Sequence, residues 1–466
     1  MQLGMRDNDT KSTSVLRLLA CELFFLVSVV ATSCDSGTKR EDDESRAKQA
    51  HTVSADLTVL RMREALRLAL IEHKGASVAG DSADVQIREL QKRTQEKLAA
   101  GTIPVVEIEK LAWAFVDKAR RAHDDGYYRL ARACGEGLSS DATARAAGLL
   151  ILGHAAQSMH EFVKAEAIAR ELTTLRGNPF DWGLLGDILV DRGALIEASE
   201  AYQRMVDAKP CLQSYVRAGH IRMLAGDLEG AVQLTKYAVR SGSRRAPEPL
   251  AWAYTRLSRL HMLRGEEAEA LQASASALEV LPTSAAALLA RASVEAARGQ
   301  EQAALADYRN AARLAPLPEY QWALADALRD SGQEAEAATV ERELEKSGAR
   351  NDPRTFAFYL LTRSKRLEQA SELLTKELEQ RRDANTLDAL AFLQLRQGKN
   401  NEAQKTILEA LATRTCEPRV LLHAALIAKA IAVAPQDIEH AMQRARRMAH
   451  GLLPSERKIL QESFPD

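Results

Sequence analysis

Apolar and polar positions alternate along most of this chain with a spacing near 3.6 residues, which predicts amphipathic helices. Two such helices are predicted early in the chain, over residues 57–72 and 85–99. From about residue 105 the pattern divides into successive units, each with two apolar stretches separated by a short break. The hydrophobic pattern therefore predicts a body built of antiparallel helix pairs.

Small residues mark these units at a nearly constant period. Alanines recur 33, 34 or, once, 39 residues apart, and seven of the nine follow a glycine by five positions. The alanines are Ala131, Ala165, Ala198, Ala231, Ala270, Ala304, Ala337, Ala370 and Ala403. The positions five residues earlier are Gly126, His160, Gly193, Gly226, Gly265, Gly299, Gly332, Lys365 and Gly398. A register shared by nine units predicts a single repeat array.

Each recurring residue has a physical reason to stand where it does. Glycine tolerates the positive φ that ends the first helix of a unit. Alanine lets the second helix approach closely, and a proline such as Pro210, Pro282 or Pro316 stops that helix. One helix pair cannot bury its apolar face alone, so the units are expected to stack into an all-α solenoid with a continuous core.

One unit carries an almost complete set of signature residues, namely Pro179, Trp182, Leu185, Gly186, Gly193, Ala198, Tyr202 and Pro210. This set resembles the tetratricopeptide repeat (TPR). The resemblance implies a right-handed α-solenoid of about nine to ten repeats over residues 105–453. Residues 53–104 would then cap the array, and residues 454–466 would form a short C-terminal tail.

The same resemblance implies a binding surface. In TPR arrays the first helix of each repeat lines a concave groove that contacts peptides or partner helices. Carried over by position, the candidate groove residues are Phe180, His220, Trp252, Arg259, Trp322, Arg329, Tyr359 and Phe392. Trp, Tyr and Arg often carry binding energy at interfaces. The alternative is that Trp252 or Trp322 packs between adjacent repeats.

The first 34 residues have a different composition from the rest. Basic Lys11 and Arg17 precede an apolar run over residues 18–31, which is followed by Thr32-Ser33-Cys34. This order predicts a signal peptide over residues 1–33, because a spanning helix needs about 20 apolar residues. The ending resembles a bacterial lipobox, which implies acylation of Cys34 by a palmitate-type lipid. Residues 34–52 would be a disordered tether, and the protein a membrane-anchored lipoprotein of the cell envelope.

Charge and motifs restrict the function further. The 63 basic and 64 acidic residues nearly cancel, so no nucleic-acid partner is predicted. The 5% aromatic content and the 24 glycines and 13 prolines among 466 residues argue against an all-β sandwich. No usable catalytic or nucleotide-binding motif occurs, and His154 and His160 are spaced to lie on different helix faces. We therefore predict no enzyme activity, no metal and no cofactor.

Three functions remain open at this point. The first is a non-enzymatic scaffold that binds protein or peptide partners at the bacterial envelope. The second is a cytoplasmic-side adaptor held by an uncleaved N-terminal membrane helix. The third is an enzyme or small-molecule sensor in the N-terminal helices, although these offer no convergent polar motif.

Overall fold

A computed structural model describes residues 58–71 and 82–465, in which all regular structure is helical. The first helices are α1 (58–66), α2 (Ser82–Ala99), α3 (Val105–Ala122), α4 (Asp125–Ser139), α5 (Arg145–Ser158), α6 (Phe162–Leu175), α7 (Pro179–Arg192) and α8 (Leu195–Ala208). The next are α9 (Leu212–Leu224), α10 (Leu228–Arg240), α11 (Pro247–Leu263), α12 (Glu267–Val280), α13 (Ala285–Ala297), α14 (Glu301–Leu314), α15 (Pro318–Asp330) and α16 (Glu334–Asn351). The last are α17 (Pro353–Thr362), α18 (Leu367–Gln380), α19 (Ala384–Arg396), α20 (Asn400–Leu411), α21 (Pro418–Ala430), α22 (Pro435–Arg447) and α23 (Pro454–Ser463).

The helices pack in sequence as antiparallel pairs, which confirms the predicted all-α solenoid of TPR type. The pair α7 and α8 shows why the signature residues are needed. Pro179 occupies the first turn of α7, and Gly193 ends it with a φ of 87°. Ala198 is fully buried where the two helices meet. A Cβ on Gly186 would lie 2.3 Å from Cε1 of Tyr202, so only glycine allows that ring to pack.

The glycine register is confirmed for six of the seven positions, which all have positive φ: Gly193, Gly226, Gly265, Gly299, Gly332 and Gly398. The expectation for Gly126 is wrong, because α3 already ends at His123, whose φ is 50°. Asp124 then caps α4 and accepts the Gly126 N–H at 2.8 Å, which places Gly126 inside that helix.

The array curls so that early repeats contact late ones. Arg192, at the end of α7, donates through Nη1 to the carbonyl of Gln380 at 2.6 Å. Cys416, just before α21, approaches the carbonyl of Met223 in α9 at 3.6 Å. The inner helices of the two halves therefore face each other across an enclosed space.

The C-terminal residues form more than the predicted tail. Pro454–Ser463 forms α23, which packs against α15 and α21. Pro454 begins the helix, and the Glu456 carboxylate accepts the Leu453 N–H at 2.9 Å, as in the usual start of a helix. This pairing of proline with a glutamate two residues later was the sequence signal for α23.

The predicted signal peptide, Cys34 and the tether lie outside the described residues.

Candidate binding cavity

A cavity of about 480 Å³ lies between the two halves of the array, and we call it the central cavity. It is lined by residues of α11 and α13 and by residues near the beginnings of α15, α17, α21 and α23. Its charged and aromatic lining includes Trp252, Arg256, Arg259, Glu319, Arg354, Glu417 and Arg419. An adjoining cavity of about 350 Å³ reaches α9 and shares Arg256, Arg259 and Arg354 with the central cavity.

Three of the predicted groove residues line this cavity, namely Trp252, Arg259 and Trp322, although the Trp322 side chain has no exposed surface. Trp252 and Arg259 are seven residues apart on α11, so they share one helix face. Trp252 is 46% exposed, and the Arg259 side chain is 47% exposed although protein surrounds it. Arg259 Nη2 donates to a Glu417 carboxylate oxygen at 2.8 Å. That carboxylate raises the pKa of the Arg259 guanidinium more than burial lowers it.

Arg256 lies between these two residues and was not singled out from the sequence. The available signal was its spacing, because a residue four positions after Trp252 shares the same helix face. Its guanidinium carbon is 5.7 Å from the centre of the Trp252 ring. Burial, and secondarily the charge of Arg259, lowers the pKa of Arg256 to about 10.

His220 lines the adjoining cavity beside these arginines. Burial lowers the pKa of its imidazole well below the usual value, and the nearby charges of Arg256, Arg259 and Arg217 lower it further. The ring is therefore neutral at physiological pH, and the local potential around it is positive.

Three predicted groove residues are buried instead, which differs from the expectation. Trp322 and Tyr359 have no exposed surface, and Phe392 is nearly as buried. The Trp322 ring packs edge-on against Tyr359, and Phe392 stacks on His423 with centroids 3.8 Å apart. These side chains offer no surface to a partner in this structure.

The C-terminal segment explains the burial of Trp322. Its indole N–H donates to Ser455 Oγ at 3.2 Å, and Ser455 donates in turn to Asp326 through its hydroxyl at 2.5 Å and its backbone N–H at 2.9 Å. Arg419 pairs with Glu456 and also lies over the Trp322 ring. The beginning of α23 therefore occupies part of the face that a peptide was expected to contact.

The remaining two predicted groove residues lie apart from the central cavity. Arg329 forms a two-point ion pair with Glu341, so its guanidinium is already engaged. Phe180 is exposed, and the Lys209 ammonium lies 4.7 Å from its ring centre. Neither residue lines the cavity that Trp252 and Arg259 share.

A separate cavity of about 380 Å³ lies beside α5 and α7. His154 and His160 both line it, and Gln157 Nε2 donates to Asp191 at 2.9 Å. Burial lowers the pKa of His154 to about 4 and raises the pKa of Asp191 to about 6.

Among the described residues there is no cluster of His, Cys, Asp and Glu arranged to hold a metal ion. None of the helices in the described ranges has the length and apolar character needed to cross a membrane.

No protein-family model matches the sequence, and no curated protein does either. Several solved helical-repeat structures are similar. Human IFIT1, solved as a dimer with PPP-AAAA, is 13% identical with a TM-score of 0.44, over 84% of this chain and 94% of that one. PilF of Pseudomonas aeruginosa is 14% identical with a TM-score of 0.37, over 43% of this chain and 90% of that one. The thermophilic TPR protein TTC0263 of Thermus thermophilus is 20% identical with a TM-score of 0.34, over 42% of this chain and 98% of that one.

Proposed function

We propose that this chain is a non-enzymatic scaffold of TPR type that binds a segment of a partner protein in the central cavity. The observation that carries the proposal is the placement of Trp252, a large aromatic side chain left 46% exposed on the wall of an enclosed space. Aromatic and Arg side chains are the groups that most often anchor a partner. Trp252 and Arg259 supply both on one face of α11.

The size and polarity of the cavity favour an extended segment over a folded domain. A volume of about 480 Å³ is within the range of sites that bind small ligands and short peptide stretches. Polar groups at the beginnings of α17 and α19, including Thr355 and Asn385, also line the cavity. Such groups suit the amides of an extended backbone, which must be hydrogen-bonded when water is displaced.

Crosslinking and affinity capture from membranes tests this proposal. We expect Trp252→Ala to lose the proteins that the wild type captures. The matched control is Tyr237→Ala, because Tyr237 is 48% exposed on α10 and does not line the central cavity. Capture by Trp252→Ala equal to that of wild type and Tyr237→Ala would contradict binding in the cavity.

We further propose that the chain is held at the bacterial envelope by a lipid on Cys34. The support is the sequence order of a basic flank, an apolar run and Thr32-Ser33-Cys34. Radiolabelled palmitate should enter the wild type and be absent from Cys34→Ala. A wild-type protein that takes up no label argues against the lipid anchor.

The cytoplasmic-side adaptor is separated from this proposal by topology. A reporter that is active only after export, fused after residue 466, should be active if the body is exported. Activity of a cytoplasm-restricted reporter alone would favour the uncleaved membrane helix. A sensor in helices α1 and α2 would instead show a ligand-dependent thermal shift against a metabolite panel.

A further inference from the structure

Arg256 is a partly buried charged side chain that has no carboxylate partner among the described residues. Among the described residues it forms no ion pair, and its one polar contact runs from Nη2 to the Met223 sulfur at 3.9 Å. A thioether is a weak acceptor, so most of the guanidinium N–H groups remain free for water or a ligand in the cavity. A charge that is partly removed from water is stabilised by an opposite charge.

Other arginines on the inner face show how the chain usually meets this requirement. Arg217 pairs with Asp187 at 2.6 Å, and Arg354 pairs with Asp383 at 2.9 Å. Arg419 pairs with Glu456. Arg256 has no such carboxylate partner within residues 58–71 and 82–465.

The groups around Arg256 add to its positive potential. Arg259 is one turn further along α11 and raises the cost of charging Arg256. The carboxylate of Glu417 acts on Arg256 through its charge, but Arg259 already engages it at 2.8 Å. His220 is neutral and presents an imidazole that can donate or accept a hydrogen bond. The place is therefore suited to an anion that the chain itself does not supply.

Arg256 is also accessible to whatever occupies the cavities, since it lines both the central and the adjoining one. A guanidinium presents parallel N–H groups that match two oxygens of a carboxylate or phosphate. Trp252 stands beside it with its ring 5.7 Å from the guanidinium carbon. An anionic group bound there would lie next to an aromatic surface.

We propose that Arg256, with Arg259 and His220 beside it, binds an oxyanion group of the ligand in the central cavity. This inference rests on the proposed cavity binding and specifies its chemistry. The group is a carboxylate of an acidic peptide or a free phosphate, which present the same two-oxygen geometry to the guanidinium. Arg256 is a binding residue in this assignment, and Arg259 remains paired with Glu417.

The test uses the full chain and two fluorescein-labelled peptides of equal length, one alternating Gly with Glu and the other alternating Gly with Gln. Fluorescence anisotropy should show that the Glu peptide binds about 10-fold or more tightly than the Gln peptide, as expected for a charged hydrogen-bonded pair. Arg256→Gln should abolish this preference, and Arg256→Lys should retain part of it. Arg222→Gln is the control, because Arg222 is an exposed arginine paired with Asp227 outside both cavities.

Inorganic phosphate provides the second arm. If a free phosphate is the ligand, phosphate raises the thermal unfolding temperature of wild type but not of Arg256→Gln, and the Glu and Gln peptides bind alike. Equal effects of Arg256→Gln and Arg222→Gln on both probes, or no binding of either probe, overturn the anion site. Thermal unfolding of each variant checks that the fold is retained.

The proposal of an anion site and the proposal of partner binding in the cavity can be contradicted independently of each other. Loss of captured partners in Trp252→Ala without any Arg256-dependent preference for anions leaves the scaffold standing and overturns the anion site. An Arg256-dependent preference with capture unaffected by Trp252→Ala leaves the anion site standing and overturns the scaffold.

Discussion

Trp252 and Trp322 were both predicted to line the concave face, and the structure places them in opposite environments. Trp252, in the first half of the array, is 46% exposed to the central cavity. Trp322, in the second half, has no exposed surface, because α23 and Tyr359 cover it. The repeat register thus identifies which side chains face inward, while later segments of the chain decide which of them remain accessible.

The comparison extends to the two halves as a whole. In the second half part of the inner face is filled by the chain's own aromatic side chains and by the beginning of α23. In the first half the inner face of α11 borders the cavity and carries Arg256, whose guanidinium has no ion-pair partner in the part of the chain that the structure describes. We therefore expect stability to depend on the second half and partner binding on the first.

Truncating each tryptophan in turn is the strongest test of this difference between the two halves. Trp322→Ala should lower the free energy of unfolding by about 3–5 kcal/mol, because it removes a fully buried aromatic and leaves a cavity. Trp252→Ala should cost about 1 kcal/mol or less, since its ring is half-exposed. Urea unfolding followed by circular dichroism measures both. Similar losses in the two variants would show that the halves do not differ as described.

The contact between the halves can be tested at two glycines with the same place in the repeat. Gly193 has a φ of 87°, and an added Cβ would lie 2.7 Å from the backbone carbonyl oxygen of Arg382. Gly332 has a φ of 75°, and an added Cβ would have no neighbour within 4 Å. Gly332→Ala should cost about 1–2 kcal/mol from its positive φ alone.

Gly193→Ala carries the same conformational cost and must also move the backbone opposite, which adds about 1–3 kcal/mol. The same unfolding measurement gives the difference between the two variants. Equal costs would mean that the turn after α7 does not rest against the segment before α19 in solution.

The difference between these glycines also shows where sequence reasoning ends. Positive φ at both positions follows from a local pattern, because Gly, Ala and the helix stop recur within one unit. The contact of Arg192 with Gln380 spans 188 residues and depends on small rotations accumulated over many repeats. No local pattern specifies this accumulated rotation. The burial of Trp322 beneath α23 and the surroundings of Arg256 could therefore not be predicted from the sequence.

A charged group where the halves meet gives a pH-dependent test. Burial raises the pKa of Asp191 from 3.8 to about 6, while the charge of Arg381 from the second half partly opposes this. A carboxyl with a raised folded-state pKa is protonated in the native state over a pH range in which the unfolded chain has released its proton. The contribution of Asp191 to wild-type stability should therefore fall as pH rises from about 4 to 6.

Asp191→Asn keeps an amide oxygen that can accept from Gln157 and carries no charge. The free energy of unfolding of this variant should equal that of wild type near pH 4 and exceed it above pH 6, by up to about 3 kcal/mol. Unfolding free energies at a series of pH values measure the crossing. A variant less stable than wild type at pH 7 would show that ionised Asp191 is stabilised by the arginine rather than penalised by burial.

The smallest effect concerns the segment predicted as a tail. Ser455→Ala should cost about 1–2 kcal/mol, because it leaves the buried Trp322 N–H without its acceptor and removes one hydrogen bond to Asp326. Ser463→Ala is the control at the other end of α23, where only the backbone carbonyl is engaged, by Lys429. A loose tail would tolerate both substitutions equally. A cost specific to Ser455 would instead show that the beginning of α23 is packed on the inner face of the second half through Trp322 and Asp326.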